Sequence, residues 1–139
     1  MAAATKFQSF AEAVYEKAHN LGSDTLKVLL ALSAPSAAND AAKTDLTDEL
    51  GTSGGYTSGG NTITITGSSQ SGGTYSLVGN DSVFTASGGT IGPFRYAVLW
   101  NDTSSTDLLI QMWDYGSSVT LADTETFTVD FGSSILTHA

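Results

Sequence analysis

The side chains able to do chemistry are few and scattered in this sequence. His19 and His138 are its only histidines and it has no cysteine, so a thiolate zinc site, a cysteine nucleophile and a disulfide framework are all excluded. H-E-x-x-H does not occur, and the one literal G-x-S-x-G, GTSGG at residues 51–55, lies in a glycine-rich turn region and not at a strand-to-helix elbow, which leaves metal-assisted and serine-based hydrolysis without a supporting motif. The glycine clusters GTSGGYTSGG and SGGT lack the lysine and the strand-to-helix setting of a phosphate loop; they read as turns. Asp114, Asp123, Glu125 and Asp130 would suit glycosidase acid–base work if two of them faced each other, but spacing alone brings no two together. Asp102 and Asp107 in NDTSSTD could share a cation through oxygen ligands, yet the stretch lacks the EF-hand pattern, and a plain strand connection is the simpler expectation. No catalytic residue, cofactor site or metal ligand is assigned, and the chain is expected not to be an enzyme.

Two further features could serve recognition. Arg95, the only arginine, stands in IGPFRYAVLWND between Phe94 and Tyr96. A guanidinium there pairs most simply with a carboxylate or stacks on a ring, and contact with a partner subunit is the functional alternative. Trp100, Trp113, Tyr56, Tyr75 and Tyr115 could form a stacking platform of the kind found in carbohydrate-binding β-sandwiches. Trp113 and Tyr115 alternate with Met112 and Asp114, however, so core packing is the more economical account.

These residues need a frame. In KFQSFAEAVYEKAHNLG, the spacing of Phe7, Phe10, Ala11, Val14 and Ala18 is that of an apolar helical stripe. It predicts a helix over residues 7–21, with Ser9 and Glu12 as a capping box, His19 in the last turn and Gly22 as the stop. DTLKVLLALS reads as a strand with Leu26, Val28, Leu30 and Leu32 on one face and Thr25, Lys27, Leu29 and Ala31 on the other, which starts polar and ends buried. After Pro35, residues 36–51 read as loop with one short helical turn near Asp45–Leu50. From residue 51 onward, NTITITG, TYSLVG, SVFTAS, FRYAVLWN, DLLIQMWDYG, SSVTLA and TFTVDFG are separated by Gly, Ser, Asn or Asp. Short strands at this density predict a mainly β domain, an antiparallel β-sandwich or jelly roll with one N-terminal amphipathic helix. In FRYAVLWN, simple alternation sets Phe94, Tyr96, Val98 and Trp100 on one face. One domain spans 1–139, with residues 1–6 as a short arm or frayed end and 25–139 as the β-rich body.

Charge narrows the partners. Residues 1–43 are neutral, so the net charge of −9 lies wholly on residues 44–139. Such a surface repels phosphate backbones, so no direct nucleic-acid binding is expected. No apolar run is long enough to span a bilayer and MAAATKFQSF does not read as a signal peptide; the expectation is a leaderless cytoplasmic protein without membrane contact.

The segments AHNLGSDTLKVLLALSAP, ASGGTIGPFRYAVLWNDT and DLLIQMWDYGSSVTLADTETFTVDF, with the spacing between them, resemble small structural proteins of tailed bacteriophages, over nearly the whole chain. The resemblance implies a virion protein made in the host cytoplasm. Within the virion it implies a capsid decoration or cement protein that binds the major capsid protein as a dimer or trimer, or else a tail or fibre component. It carries no catalytic residue and no cofactor across. On that reading the candidate partner contacts are Ala2, Ala3, Ala4, Thr5 and Lys6 of the arm, together with Arg95. A carbohydrate-binding module is the rival of a different class.

Overall fold

The structure is a computed structural model and describes residues 3–139; Ala2, a candidate contact, lies outside them. Strands hold 46% of the residues and helix 7%, so the class is mainly β. In chain order the elements are β1 (Thr5–Lys6), α1 (Ser9–Tyr15), β2 (Leu26–Ala31), β3 (Asn61–Thr62), β4 (Ile65–Ser71) and β5 (Thr74–Gly79). They continue with β6 (Ser82–Thr85), β7 (Ile91–Asn101), β8 (Leu109–Leu121), β9 (Thr126–Val129) and β10 (Leu136–His138). Among the described strands all pairings are antiparallel: a five-stranded sheet in the order β1-β8-β7-β2-β3, a three-stranded sheet β10-β5-β4 and a two-stranded sheet β6-β9 of strands far apart in the chain.

The five-stranded sheet is apolar on both faces, which is why β2 is a near-continuous hydrophobic run. One face carries Leu26, Val28, Leu30, Leu99 and Ile110 into a core shared with Leu77 and Leu136 of the three-stranded sheet and with Phe84 and Val129 of the β6-β9 pair. The other face gathers Leu29, Ala31, Val98, Trp100 and Leu109 around Phe7. Full burial of such a side chain stabilises by roughly 1.5–3 kcal/mol, so this central sheet, and not α1, holds the molecule together.

Several expectations need correction. The helix runs over Ser9–Tyr15, not 7–21. Phe7 and Phe10 look like one stripe but serve different cores, Phe7 the smaller and Phe10 the larger. Gln8 stands at the N-cap and Ser9 is already helical, so Ser9 is one position late for a capping box and no side-chain cap forms. The helix stops at Lys17, which takes a left-handed conformation (φ 64°). The Ala18 N–H donates to the Ala13 carbonyl at 2.8 Å and the Lys17 N–H to the Val14 carbonyl at 3.3 Å, the two bonds of a Schellman ending. Gly22 is therefore not the stop. The helical turn expected near Asp45–Leu50 is a single 3₁₀ turn at Lys43–Asp45.

Simple alternation also fails along β7. The register shifts between Phe94 and Tyr96, and such an irregularity reverses which face follows, while alternation holds from Ala97 to Trp100. Phe94 consequently joins Ala97 and Leu99 in the larger core, opposite Val98 and Trp100. DLLIQMWDYG and SSVTLA form one strand, β8, with Gly116 at φ 99° inside it. The aromatic platform does not exist, since Trp100, Trp113 and Tyr56 are at most 4% exposed. The Trp100 indole N–H donates to the Gly59 carbonyl at 3.0 Å, and the ammonium groups of Lys27 and Lys43 lie 5.8 and 5.4 Å from the ring centre.

Candidate functional site

The Schellman ending of α1 turns the chain back on itself and brings His19 under Phe10, their ring centres 5.2 Å apart. A tight loop follows, in which the Asn20 N–H donates to Asp24 Oδ2 at 2.7 Å and the Asp24 N–H to the Asn20 carbonyl at 2.8 Å. Both His19 and Asp24 meet Asn101, which ends β7 and is completely buried. Asn101 Oδ1 accepts the N–H groups of Thr103 at 2.9 Å and Ser104 at 3.2 Å, which fixes the orientation of its amide. Its Nδ2 must then donate, to Asp24 Oδ2 at 2.7 Å and to His19 Nδ1 at 2.9 Å. An amide donor needs an unprotonated nitrogen opposite it, so the proton of a neutral imidazole sits on Nε2. Nε2 is buried without a hydrogen-bond partner.

The electrostatics favour the neutral ring. Burial pushes the imidazole below its ordinary value of 6.5, while the Asp24 carboxylate pulls the other way and is the weaker influence. The expected cation at a helix end is thus a neutral ring beyond the helix. It is a poor general base, because its lone-pair nitrogen is occupied and its other nitrogen is already protonated.

In front of this network lies a groove of about 650 Å³. One wall is α1, with Phe10, Val14 and Tyr15; the other is the outer end of the three-stranded sheet, with Ser68, Tyr75 and His138. Leu136 and Leu21 lie between them. The sheet wall is stiffened by a 2.9 Å hydrogen bond between the Ser68 and Tyr75 hydroxyls. Register explains the wall: Leu77 pairs with Leu136 and Tyr75 with His138, so one sheet face runs from buried core outward into the groove. The short helix leaves that outer end uncovered. A second depression of about 280 Å³ adjoins it and shares Phe10, Val14, Tyr15 and His138.

The candidate contacts lie along β8, Lys6 also lining the second depression. Thr5 and Lys6 pair with Met112 and Gln111 as β1, and the Lys6 ammonium donates to the Thr137 carbonyl at 2.7 Å, so these two residues are tied to the sheet and not free as an arm. Ala3 and Ala4 precede the strand and are exposed; Ala4 shares a shallow depression with Trp113. On the opposite side of β8, Arg95 grips Asp114 through both carboxylate oxygens, at 2.8 and 3.0 Å, and lies 5.5 Å from the Tyr96 ring. The pair holds the Asp114 carboxyl below the usual carboxylate range, helped by the Gly116 N–H, and raises the guanidinium. Ala4, Thr5, Lys6 and Arg95 therefore flank one stretch of β8, Gln111–Asp114. Asp102 is paired with Lys27 at 3.6 Å, and among the described residues no three His, Cys, Asp or Glu side chains converge as metal ligands.

Sequence reasoning missed Asn101, Asp24 and Glu49. Glu49 is a hub: it accepts from the Tyr56 hydroxyl at 3.1 Å, the Ser58 hydroxyl at 3.2 Å and the Gly59 N–H, and pairs with Lys43 at 2.9 Å. The signal for Asn101 was present, as a polar residue in register with Ala97 and Leu99. Comparison with known proteins returns no matching family model, no matching curated protein and no matching solved structure.

Proposed function

We propose that this chain is a structural protein of a bacteriophage virion, and within the virion a decoration or cement protein on the head shell. The reading draws on the likeness of three sequence segments to small virion proteins. The observation that carries it is the gathering of Ala4, Thr5, Lys6 and Arg95 around the Gln111–Asp114 stretch of β8, beside the half-exposed ring of Tyr115. An aromatic ring with an ordered arginine–carboxylate pair is a surface suited to protein contact. The major capsid protein is the proposed partner, and many weak contacts repeated over a lattice would hold each copy.

Antiparallel sheets sharing one core suit a sandwich better than a jelly roll, and we read the fold so. No helix among the described residues is long and apolar enough to cross a membrane. The carbohydrate-binding alternative loses its main support with the burial of Trp100 and Trp113.

The test is co-sedimentation of the purified chain with head shells assembled from the major capsid protein alone. Saturable binding, weakened by Arg95→Ala, is expected. Shells that sediment free of the chain at every concentration would contradict the reading.

A further inference from the structure

We propose that the groove beside α1 is the interface of a two-fold dimer, in which the Tyr15 ridge of each chain, flanked by Glu12 and Glu16, seats in the groove of a second copy beside Lys17. The occupant follows from the distribution of charge. Of the five cations in the chain, Lys27, Lys43 and Arg95 are each paired with a carboxylate, Asp102, Glu49 and Asp114 respectively. Lys6 and Lys17 have no such pairing among the described residues, and they line the two adjoining depressions together with His138. No Asp or Glu side chain lines either depression, although the chain has 14 of them. Asp24, behind the floor, is engaged by Asn101 and the Asn20 N–H. The groove is apolar with a cationic rim.

Its complement stands directly beside it. Tyr15 is 78% exposed and Val14 38%, the only two adjacent in sequence among the exposed large apolar side chains of the described residues. Glu12, Tyr15 and Glu16 are related by helical spacings of three and four, so they share one face of α1. One patch thus holds an anionic aromatic ridge and a cationic apolar groove side by side. That is what an isologous interface requires, because each residue must meet its complement on the same patch of the other copy. A partner with only an acidic segment would use the groove and leave the Tyr15 ridge in water; a second copy covers both. An aromatic side chain buries about 150–250 Å², and the groove has room for one.

The proposal rests on this face alone. A dimer would stand whether or not the chain sits on a shell, and a monomer would leave shell binding through β8 untouched.

The experiment is sedimentation velocity on the full chain at tens of micromolar and low salt. The expected mass is about twice the chain's 14.3 kDa, falling toward one chain as added salt screens the pairs. Lys17→Glu alone, and Glu12→Lys with Glu16→Lys, should each give a monomer, and Tyr15→Ser should weaken association at least about tenfold. All four positions are exposed, and circular dichroism checks that each variant is folded. Mixing the two charge-reversed chains in equal amounts should restore a dimer, since each meets opposite charge at both contacts. A wild-type monomer, a closed species larger than a dimer, or a dimer indifferent to these substitutions would overturn the proposal.

Discussion

Asn101 donates an amide hydrogen to Nδ1 of His19 across 2.9 Å, and this bond joins the end of β7 to the turn that follows α1. The same amide holds Asp24 and, through its oxygen, two backbone N–H groups. Asn101→Ala would leave all four groups short of a partner in or near the core. Each unsatisfied buried group costs about 1–3 kcal/mol, and some of these can reach water, so a loss of about 2–4 kcal/mol is expected. Urea denaturation of the variant and the parent measures it.

His19 makes the fold sensitive to mild acid. The unfolded chain takes up the proton near the ordinary value of 6.5, whereas burial keeps the folded ring neutral to lower pH. Below 6.5 the unfolded state therefore binds more protons. His19's contribution is fully present above that pH and is lost as pH falls toward the folded value. The urea midpoint of the parent should drop between pH 7.5 and 5.5 by more than that of His19→Gln. Equal drops would show that the ring is not held neutral.

Gly60 is expected to tolerate no side chain. It sits at φ 82°, and a Cβ there would lie 1.8 Å from the Val28 carbonyl oxygen, a backbone atom that cannot move without displacing β2. Gly72, in the turn between β4 and β5, has φ 58° and open space. Gly72→Ala should cost about 1 kcal/mol, whereas Gly60→Ala should abolish the cooperative thermal transition. Melting curves of the two variants decide it.

Truncation separates the start of the chain into two parts. Deleting residues 2–4 removes no described strand pairing and should leave the melting temperature unchanged. Deleting through Lys6 also removes β1, opens the edge of β8 and breaks the Lys6–Thr137 bond. The longer deletion should lower stability by about 1–2 kcal/mol.

The strand-rich body was legible because Gly, Ser, Asn and Asp punctuate it, and β2 was legible because apolar residues on both faces announce a buried strand. What was not legible came from long-range geometry. Gly116 resembles a turn in sequence, yet at φ 99° it bends β8 without ending it. The irregularity between Phe94 and Tyr96 puts Phe94 in the other core, and no local pattern marks it. β1 is a two-residue strand with nothing in Thr5–Lys6 to predict it. The groove was invisible because its walls are more than 50 residues apart along the chain, from Tyr15 to Ser68, Tyr75 and His138. Arg95 was the exception: carboxylate pairing and aromatic stacking were the two simplest expectations, and it does both with Asp114 and Tyr96.

The most direct test of the shell reading is the copy number of this chain in purified phage particles, by quantitative mass spectrometry against the major capsid protein. A number equal to the capsid protein's, or a simple fraction of it, is the predicted result. A handful of copies would assign the chain to the tail or its fibres, and its complete absence from particles would contradict a virion role altogether.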